Sequence, residues 1–336
     1  MDYTKGYTAS FYAAFVDPGT WQDGERFELV SGSVNRNDEG LRQSAELTVR
    51  AYGETTDRWA RIFMDCDQEG DRAHVPLFTG LISTPGEEHT DAVKDVRLQM
   101  YSPLKAAEDI KLELGAYVPA GTNGAEAVKD LLLTQPAPVR IIGEAPALDE
   151  AIIAEQNDDC VTMSGRILEA IGWKLQIAGD GTIVLSEREE NPRPVLKMSP
   201  DENDIIEPGF SKERDWFNCP NVLLVSSGAQ TYRATDEDPD SPLSIQNRGR
   251  EIIQIEDNVT LSGGEGIIQY GRRRLKELQQ VTETAAYTRR FMPEVNIGDA
   301  VLLDYPDLQG TYIIETQSIS LTTNGQTQEN AERTTA

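Results

Sequence analysis

Only two histidines, His74 and His89, stand in a chain of 336 residues, so any imidazole chemistry must use one of them. His74 lies in an apolar run (HVPLF) and His89 in an acidic one (EEHT). Neither belongs to an HExxH pattern, and a metal would find no second histidine at helical spacing. A Ser-His-Asp set would lack its GxSxG elbow. Cys66 and His74 fall on neighbouring strand-like runs, where packing is expected and not a thiolate dyad. The 57 acidic residues offer carboxylate pairs for glycoside hydrolysis in many places and single out none. Ser262-Gly263-Gly264-Glu265-Gly266 opens a helix but lacks the Lys-Ser/Thr of a phosphate loop. Asp236-Glu237-Asp238-Pro239-Asp240 carries oxygen ligands without the spacing of a calcium loop, and a solvated acidic loop is expected. Cys66, Cys160 and Cys219 are dispersed without CxxC spacing, as buried free thiols are. These residue types point to no catalytic site, no cofactor and no metal.

Charge narrows the partners. The net charge is -26, spread through the folded segments and not gathered in a tail. Such a surface repels nucleic-acid phosphates. The one concentrated basic run, Arg272, Arg273, Arg274 and Lys276, sits on an expected helix. With 38% apolar and 26% charged residues the composition is that of a globular protein. No stretch of about 18 apolar residues is present to cross a bilayer as a helix. The start, Met1-Asp2-Tyr3-Thr4-Lys5, lacks a signal-peptide pattern, so folding in a cytoplasm is expected, with any later extracellular life reached by release.

The elements that would position any site change character along the chain. Tyr7–Val16, Phe27–Val34, Ser44–Tyr52, Trp59–Cys66, His74–Ile82 and Val93–Ser102 read as strands. In the third of these Ala45, Leu47, Val49 and Ala51 alternate with Ser44, Glu46, Thr48 and Arg50. Recurrent Gly, Asp and Asn between strands favour a barrel or sandwich. The middle turns mixed. A helix over Asn123–Leu133, with Asn123 and Glu126 as a capping pair, is followed by a helix over Thr162–Ile171 and a hairpin, Trp173–Ile177 and Thr182–Ser186, about Gly179-Asp180-Gly181. Asn221–Val225, Glu251–Ile255, Ala285–Phe291, Ala300–Tyr305, Thr311–Thr322 and Gln326–Arg333 return to strands, interrupted by a helix near Glu265–Gln280. The expected fold is α+β and mainly β, with barrel-like regions at 1–104 and 207–336 flanking a mixed α+β domain at 105–206.

Four stretches, GWKLQIAGDGTIVL (172–185), ERDWFNCPNVLLV (213–225), SPLSIQNRGREIIQIEDN (241–258) and NIGDAVLLDYP…GTYIIETQSISL (296–321), resemble in their order the tail-hub or baseplate-hub proteins of phages of Gram-positive hosts and of phage-derived contractile particles. The resemblance implies a homotrimer in which two tube domains per chain combine into a pseudo-sixfold ring. It implies as partners a tail tube or distal tail protein, a tape measure protein, a central spike or tip and baseplate wedge proteins, in a virion or tail-like particle. The lumen would pass DNA without specific nucleic-acid binding, and no membrane insertion is implied. The chain ends at Ala336 soon after the second β-region, so no peptidase, lysin or receptor-binding role is expected of it. A tail-associated cell-wall hydrolase and a host-glycan attachment protein are the rival readings.

Within the matching stretches, structural or interface roles are expected at eight residues. Trp173 would anchor the mixed domain. Trp216, Asn218 and Asn221 belong to a turn-rich approach to the last β-region, where Asn side chains bond backbone. Arg248 and Arg250 are expected either to pair with acidic groups of a neighbouring subunit or to sit in a solvated loop. Gly298 and Asp299 form a tight turn before Ala300–Tyr305.

Overall fold

Alternation in the first third produces the strands Thr8–Val16, Asp23–Asn37, Gln43–Arg50, Arg58–Gln68, Asp71–Ile82, Gly86–His89 and Lys94–Tyr101. The computed structural model describes the chain apart from residues 51, 54, 55, 84, 90–93, 190, 191, 229, 258, 260–265, 324 and 336. Ala51 and Val93, assigned to strands from sequence, and the run 262–265, assigned to a helix entry, therefore lie outside the described residues, as does the His89 side chain. Six of these strands pair in a closed circuit. Thr8–Val16 bonds both Asp23–Asn37 and Arg58–Gln68, and the path returns through Asp71–Ile82, Lys94–Tyr101 and Gln43–Arg50. Ala45, Leu47 and Val49 point into the circuit while Glu46 stays in solvent, as a pleated strand with one dry face requires.

The C-terminal strands extend the same sheet. Ile206–Arg214, Val281–Arg290, Gln326–Thr335, Leu308–Ser320 and Ala300–Tyr305 pair antiparallel in that order. Pro194–Met198 joins Ala300–Tyr305 in parallel. The two halves meet where residues 33–37 pair with 316–320, which makes one 13-stranded sheet. A continuous core runs through both, from Ala9 and Phe78 to Tyr312 and Ala331. This core also holds charge. Arg289, fully buried, donates to Glu329 from Nε (2.8 Å) and Nη2 (2.5 Å), and Gln317 Nε2 donates to the same carboxylate at 2.7 Å.

The middle segment builds a second core. Helix Gly124–Leu132 starts at Asn123, whose side chain accepts from Glu126 N at 3.1 Å. Helix Cys160–Ala170 starts at Asp159, which accepts from Thr162 N at 2.8 Å. Each cap satisfies a donor that the first turn leaves free. Both helices pack on one face of a three-stranded sheet ordered Trp173–Ile177, Ile183–Glu187, Val139–Ile142. Trp173, Leu175, Ile183 and Leu185 face the helices; by register, Lys174, Gln176, Val184, Arg140 and Ile142 lie on the opposite face.

Two arrangements are non-contiguous in sequence. Residues 194–198, near the end of the middle segment, belong to the large sheet. Residues 222–278, inside the last segment, have their own core, where Ile267 and Leu275 of helix Ile267–Leu278 pack on Leu223, Val225 and Ala234. Their sheet is ordered Gln230–Thr235, Val222–Ser227, Ile253–Glu256. Gly271 lets the helix come close, since a Cβ there would lie 2.7 Å from the Tyr232 ring.

Candidate functional site

The turn Gly179-Asp180-Gly181 is where the mixed module docks on the large sheet. Trp21 Nε1 and Arg61 Nη2 both donate to the Asp180 carbonyl at 2.9 Å. Thr79 Oγ1 donates to the Gly179 carbonyl at 2.9 Å and accepts from Arg61 Nε at 2.8 Å. Asp23 holds Arg61 Nη1 at 2.6 Å, and Gln43 Nε2 donates to the Ile177 carbonyl at 2.6 Å. Both glycines are dictated by this approach. A Cβ on Gly179 would collide with the Pro76 carbonyl oxygen, and Gly181 stands at φ +82° with its Cβ position 2.8 Å from the Trp21 ring. Gly179→Ala is expected to cost about 1–3 kcal/mol through overpacking. It should also loosen this joint, read as a lower melting temperature with faster limited proteolysis between the mixed module and the sheet.

A second contact lies on the C-terminal half. Gln176 Nε2 donates to the Ile297 carbonyl at 2.9 Å, immediately before Gly298 and Asp299. Gly298, at φ +79°, donates its N–H to the Ile314 carbonyl at 2.8 Å. Asp299 accepts from Asn296 N at 2.8 Å, and burial raises its carboxyl pKa. Between the two contacts opens a cleft of about 440 Å³ whose walls come from both halves of the large sheet and from the outward face of the mixed module. Arg36 reaches into its wall and is buried, with 7% of its surface exposed. Its Nη2 donates to the Leu77 carbonyl at 2.7 Å, and Nη1 to Asn296 Oδ1 at 3.2 Å and Gln317 Oε1 at 3.4 Å. Burial lowers the guanidinium pKa to about 10, with the Glu329 charge opposing, so Arg36 remains a cation at neutral pH.

The other expected residues gather elsewhere. Trp173 is buried in the mixed module, following Gly172 at φ +68°. Trp216, Asn218, Asn221, Arg248 and Arg250 come together in one knot beside the 222–278 module. Arg248 donates to the carbonyls of Cys219 (2.7 Å), Trp216 (2.9 Å) and Phe217 (2.7 Å). Arg250 donates to the Phe217 carbonyl at 2.7 Å and lies 4.1 Å over the Phe217 ring. Both arginines thus hold backbone of their own chain. Asn218 bonds Asp215, and buried Asn221 clamps the Arg250 carbonyl (2.9 Å), the Leu243 carbonyl (3.2 Å) and the Ile252 N–H (2.7 Å). Asn221→Leu should cost about 2–3 kcal/mol in thermal unfolding, because three backbone groups lose a partner.

The residues whose types could do chemistry have defined partners. His74 Nδ1 lies 2.6 Å from Asp65 Oδ1 and its ring stacks on Phe63 at 4.5 Å. Cys66 pairs with Ala73 one register on, so it faces the opposite side, in the core, where burial raises its thiol pKa to about 11. In the acidic loop, Asp236 and Asp238 accept the N–H groups of Asp238 (3.2 Å) and Asp240 (2.9 Å). Arg273 and Arg274 of the basic run bind Glu277 (2.6 Å) and Glu256 (2.8 Å). Among the described residues no three His, Cys, Asp or Glu side chains are grouped to hold a metal.

Sequence inspection missed Arg36, Gln43, Arg61 and the docking role of Gly179 and Gly181. A signal existed for Arg36, which stands in phase with buried Val34 and so places a charge at an inward position.

No family model matches the chain, and no curated protein matches its sequence. Solved structures do match. A tail protein from Neisseria meningitidis superposes with a TM-score of 0.67 at 14% identity, covering 98% of this chain and 97% of that one. The 43 kDa tail protein of prophage MuSo2 from Shewanella oneidensis gives 0.66 at 12%, covering 96% and 97%. Prophage tail protein gp18 from Listeria monocytogenes gives 0.54 at 12%, covering 97% and 95%. The chain has the fold of phage tail proteins. The tail-protein fold extends over all three cores, so the mixed module and the 222–278 module are parts of it and not additions to it.

Proposed function

We propose that this chain is a non-enzymatic structural subunit of a phage-type tail, the hub from which three copies close a ring. In this reading the β-regions of 1–104 and 207–336 are barrel-like tube domains that act as equivalent arcs of a pseudo-sixfold annulus. The domain at 105–206 lies toward the spike or tip. The observation that carries it is the division of the large sheet into an N-terminal set of seven strands, six of them in the closed circuit, and a C-terminal set of six, joined at 33–37 and 316–320. The N-terminal set contains a closed circuit, while among the described residues the C-terminal set keeps Pro194–Met198 and Ile206–Arg214 as strands with a free edge, able to pair with a neighbouring copy. Where part of the net charge of -26 per chain lines the lumen, DNA phosphates are repelled from the wall, an effect that reaches about 8–10 Å at physiological salt. The neighbours would be a tail tube or distal tail protein, the tape measure, the central spike and baseplate wedges, in a virion or tail-like particle.

Mass photometry of the purified protein should give a particle three times the 37.2 kDa chain mass, and particle imaging should place it on the tail axis. A monomer at micromolar concentration and no threefold density on the axis would end the ring reading. Turnover of purified peptidoglycan, lost on changing one or two carboxylates, would favour the hydrolase. Binding of host glycans by the isolated subunit would favour the attachment protein.

A further inference from the structure

Trp216 and Phe217, adjacent in the chain, are 60% and 64% exposed. A single exposed apolar residue is ordinary. Here two large aromatic side chains stand together, and their backbone is held in place. Arg248 and Arg250 make four hydrogen bonds to the carbonyls of Trp216, Phe217 and Cys219. The Cys219 N–H closes the turn on the Trp216 carbonyl at 3.3 Å. A turn ordered in advance presents its rings with little further entropy to lose on docking. Aromatic side chains and arginine dominate the binding energy of protein interfaces.

Charge and position name the occupant. Among the described residues neither Arg248 nor Arg250 has a carboxylate partner, in a chain with 57 acidic and 31 basic residues. Arg250 is exposed and donates once, to the Phe217 carbonyl, which leaves its fork able to take a carboxylate. Asp215, the carboxylate within the turn, accepts from Asn218 instead. Two aromatic rings beside two unneutralised cations complement an acidic surface, and a second copy of this chain, at -26, offers one. The turn also follows without a break on Ile206–Arg214, the edge strand read above as able to pair with a neighbouring copy. Ser211, Lys212, Glu213 and Arg214 are all exposed, and the Trp216 N–H ties the turn to the Arg214 carbonyl at 3.1 Å. We propose that Trp216 and Phe217 anchor the contact between copies of this chain, seated on an acidic face of the neighbour, with Arg250 meeting one of its carboxylates. This contact rests on the ring reading and adds to it the residues that hold one copy to the next. In a closed ring each copy offers its aromatic turn to one neighbour and receives the turn of the other.

The test is sedimentation velocity of the full-length protein over a concentration series, for the parent, Trp216→Ser/Phe217→Ser and Arg250→Glu. The parent should sediment as a trimer. The double variant should associate at least about a hundredfold more weakly, as the loss of two anchoring aromatics implies. Arg250→Glu should weaken association about tenfold by setting like charges against each other. Both replaced aromatics are exposed, so the double variant should keep the parent's melting temperature; should Arg250→Glu loosen the turn, the double variant decides. A second readout is tryptophan emission. Trp59 and Trp173 are only 9% and 3% exposed, so burial of Trp216 should move the parent's emission to the blue as trimers form, and Trp216→Phe should lack that shift. A trimer that forms equally well in the double variant, or without the emission shift, would overturn the proposal and leave the ring reading standing. Undiminished association of a folded Arg250→Glu would overturn the acidic seat. A parent that stays monomeric at micromolar concentration would end both the contact and the ring. An oligomer of another size that the double variant dissolves would keep the contact and end the ring.

Discussion

Arg289→Met should lower the free energy of unfolding by about 3–5 kcal/mol, the largest single-residue loss expected in this protein. Arg289 and Glu329 are both essentially excluded from water, at 0% and 2% exposure, and their charges face each other; Gln317 Nε2 also donates to Glu329, and Arg289 Nη1 donates to the Arg290 carbonyl at 2.9 Å. Removing the cation leaves a carboxylate in the core of the large sheet with one neutral donor. Arg36 also feels the Glu329 charge, but its guanidinium is held by Leu77, Asn296 and Gln317. The double variant Arg289→Met/Glu329→Leu should recover most of the loss, because an apolar pair of similar volume carries no desolvation penalty. Gln317 would still donate to the Val295 carbonyl at 2.9 Å. Urea unfolding of the single and double variants decides it. A loss under about 1 kcal/mol, or a double variant no better than the single, would mean that the pair is solvated or dispensable.

The second large effect is pH-dependent and centres on Glu283. Burial by itself would raise this carboxyl pKa, but the Tyr312 hydroxyl, Arg214 (2.5 Å) and Arg333 (2.7 Å) bind the ionised form and lower it to about 2. In the unfolded chain the group returns to its ordinary value of 4.5. The folded pKa is the lower one, so the unfolded state takes up the proton first as pH falls. The stabilisation is complete above the ordinary value, declines below it, and is gone once pH drops through about 2. Its size at neutral pH is about 3 kcal/mol. Glu283→Gln should therefore be about 3 kcal/mol less stable than the parent at pH 7. The gap should close progressively as both are unfolded at lower pH. A gap that stays constant down to pH 2 would show that the cost is lost packing and not lost charge.

These two clusters explain what was legible in advance and what was not. The strand Gln43–Arg50 and the hairpin about Gly179-Asp180-Gly181 could be read directly, because alternation and turn chemistry are local. The helix cap at Asn123 was equally plain, its partner Glu126 being three residues away. The buried pairs were not. Arg289 finds Glu329 across adjacent antiparallel strands, and Glu283 gathers partners from three separate strands. No spacing along the chain announces such meetings, since register between distant strands sets them. The same holds for Pro194–Met198, whose parallel partner lies far along the sequence, and for the closed circuit of the N-terminal strands.

From sequence alone came the mainly β character, the acidity, the want of a catalytic motif and the order of stretches that resembles tail hubs. Those follow from side-chain type, near-neighbour periodicity and charge, which need no third dimension. Tertiary structure alone decided that the two β-regions share one sheet and core. It also fixed Arg248 and Arg250 on their own backbone, and opened a cleft where three parts of the chain converge. Burial and strand register are set by contacts between distant segments, and only the folded chain brings those segments together.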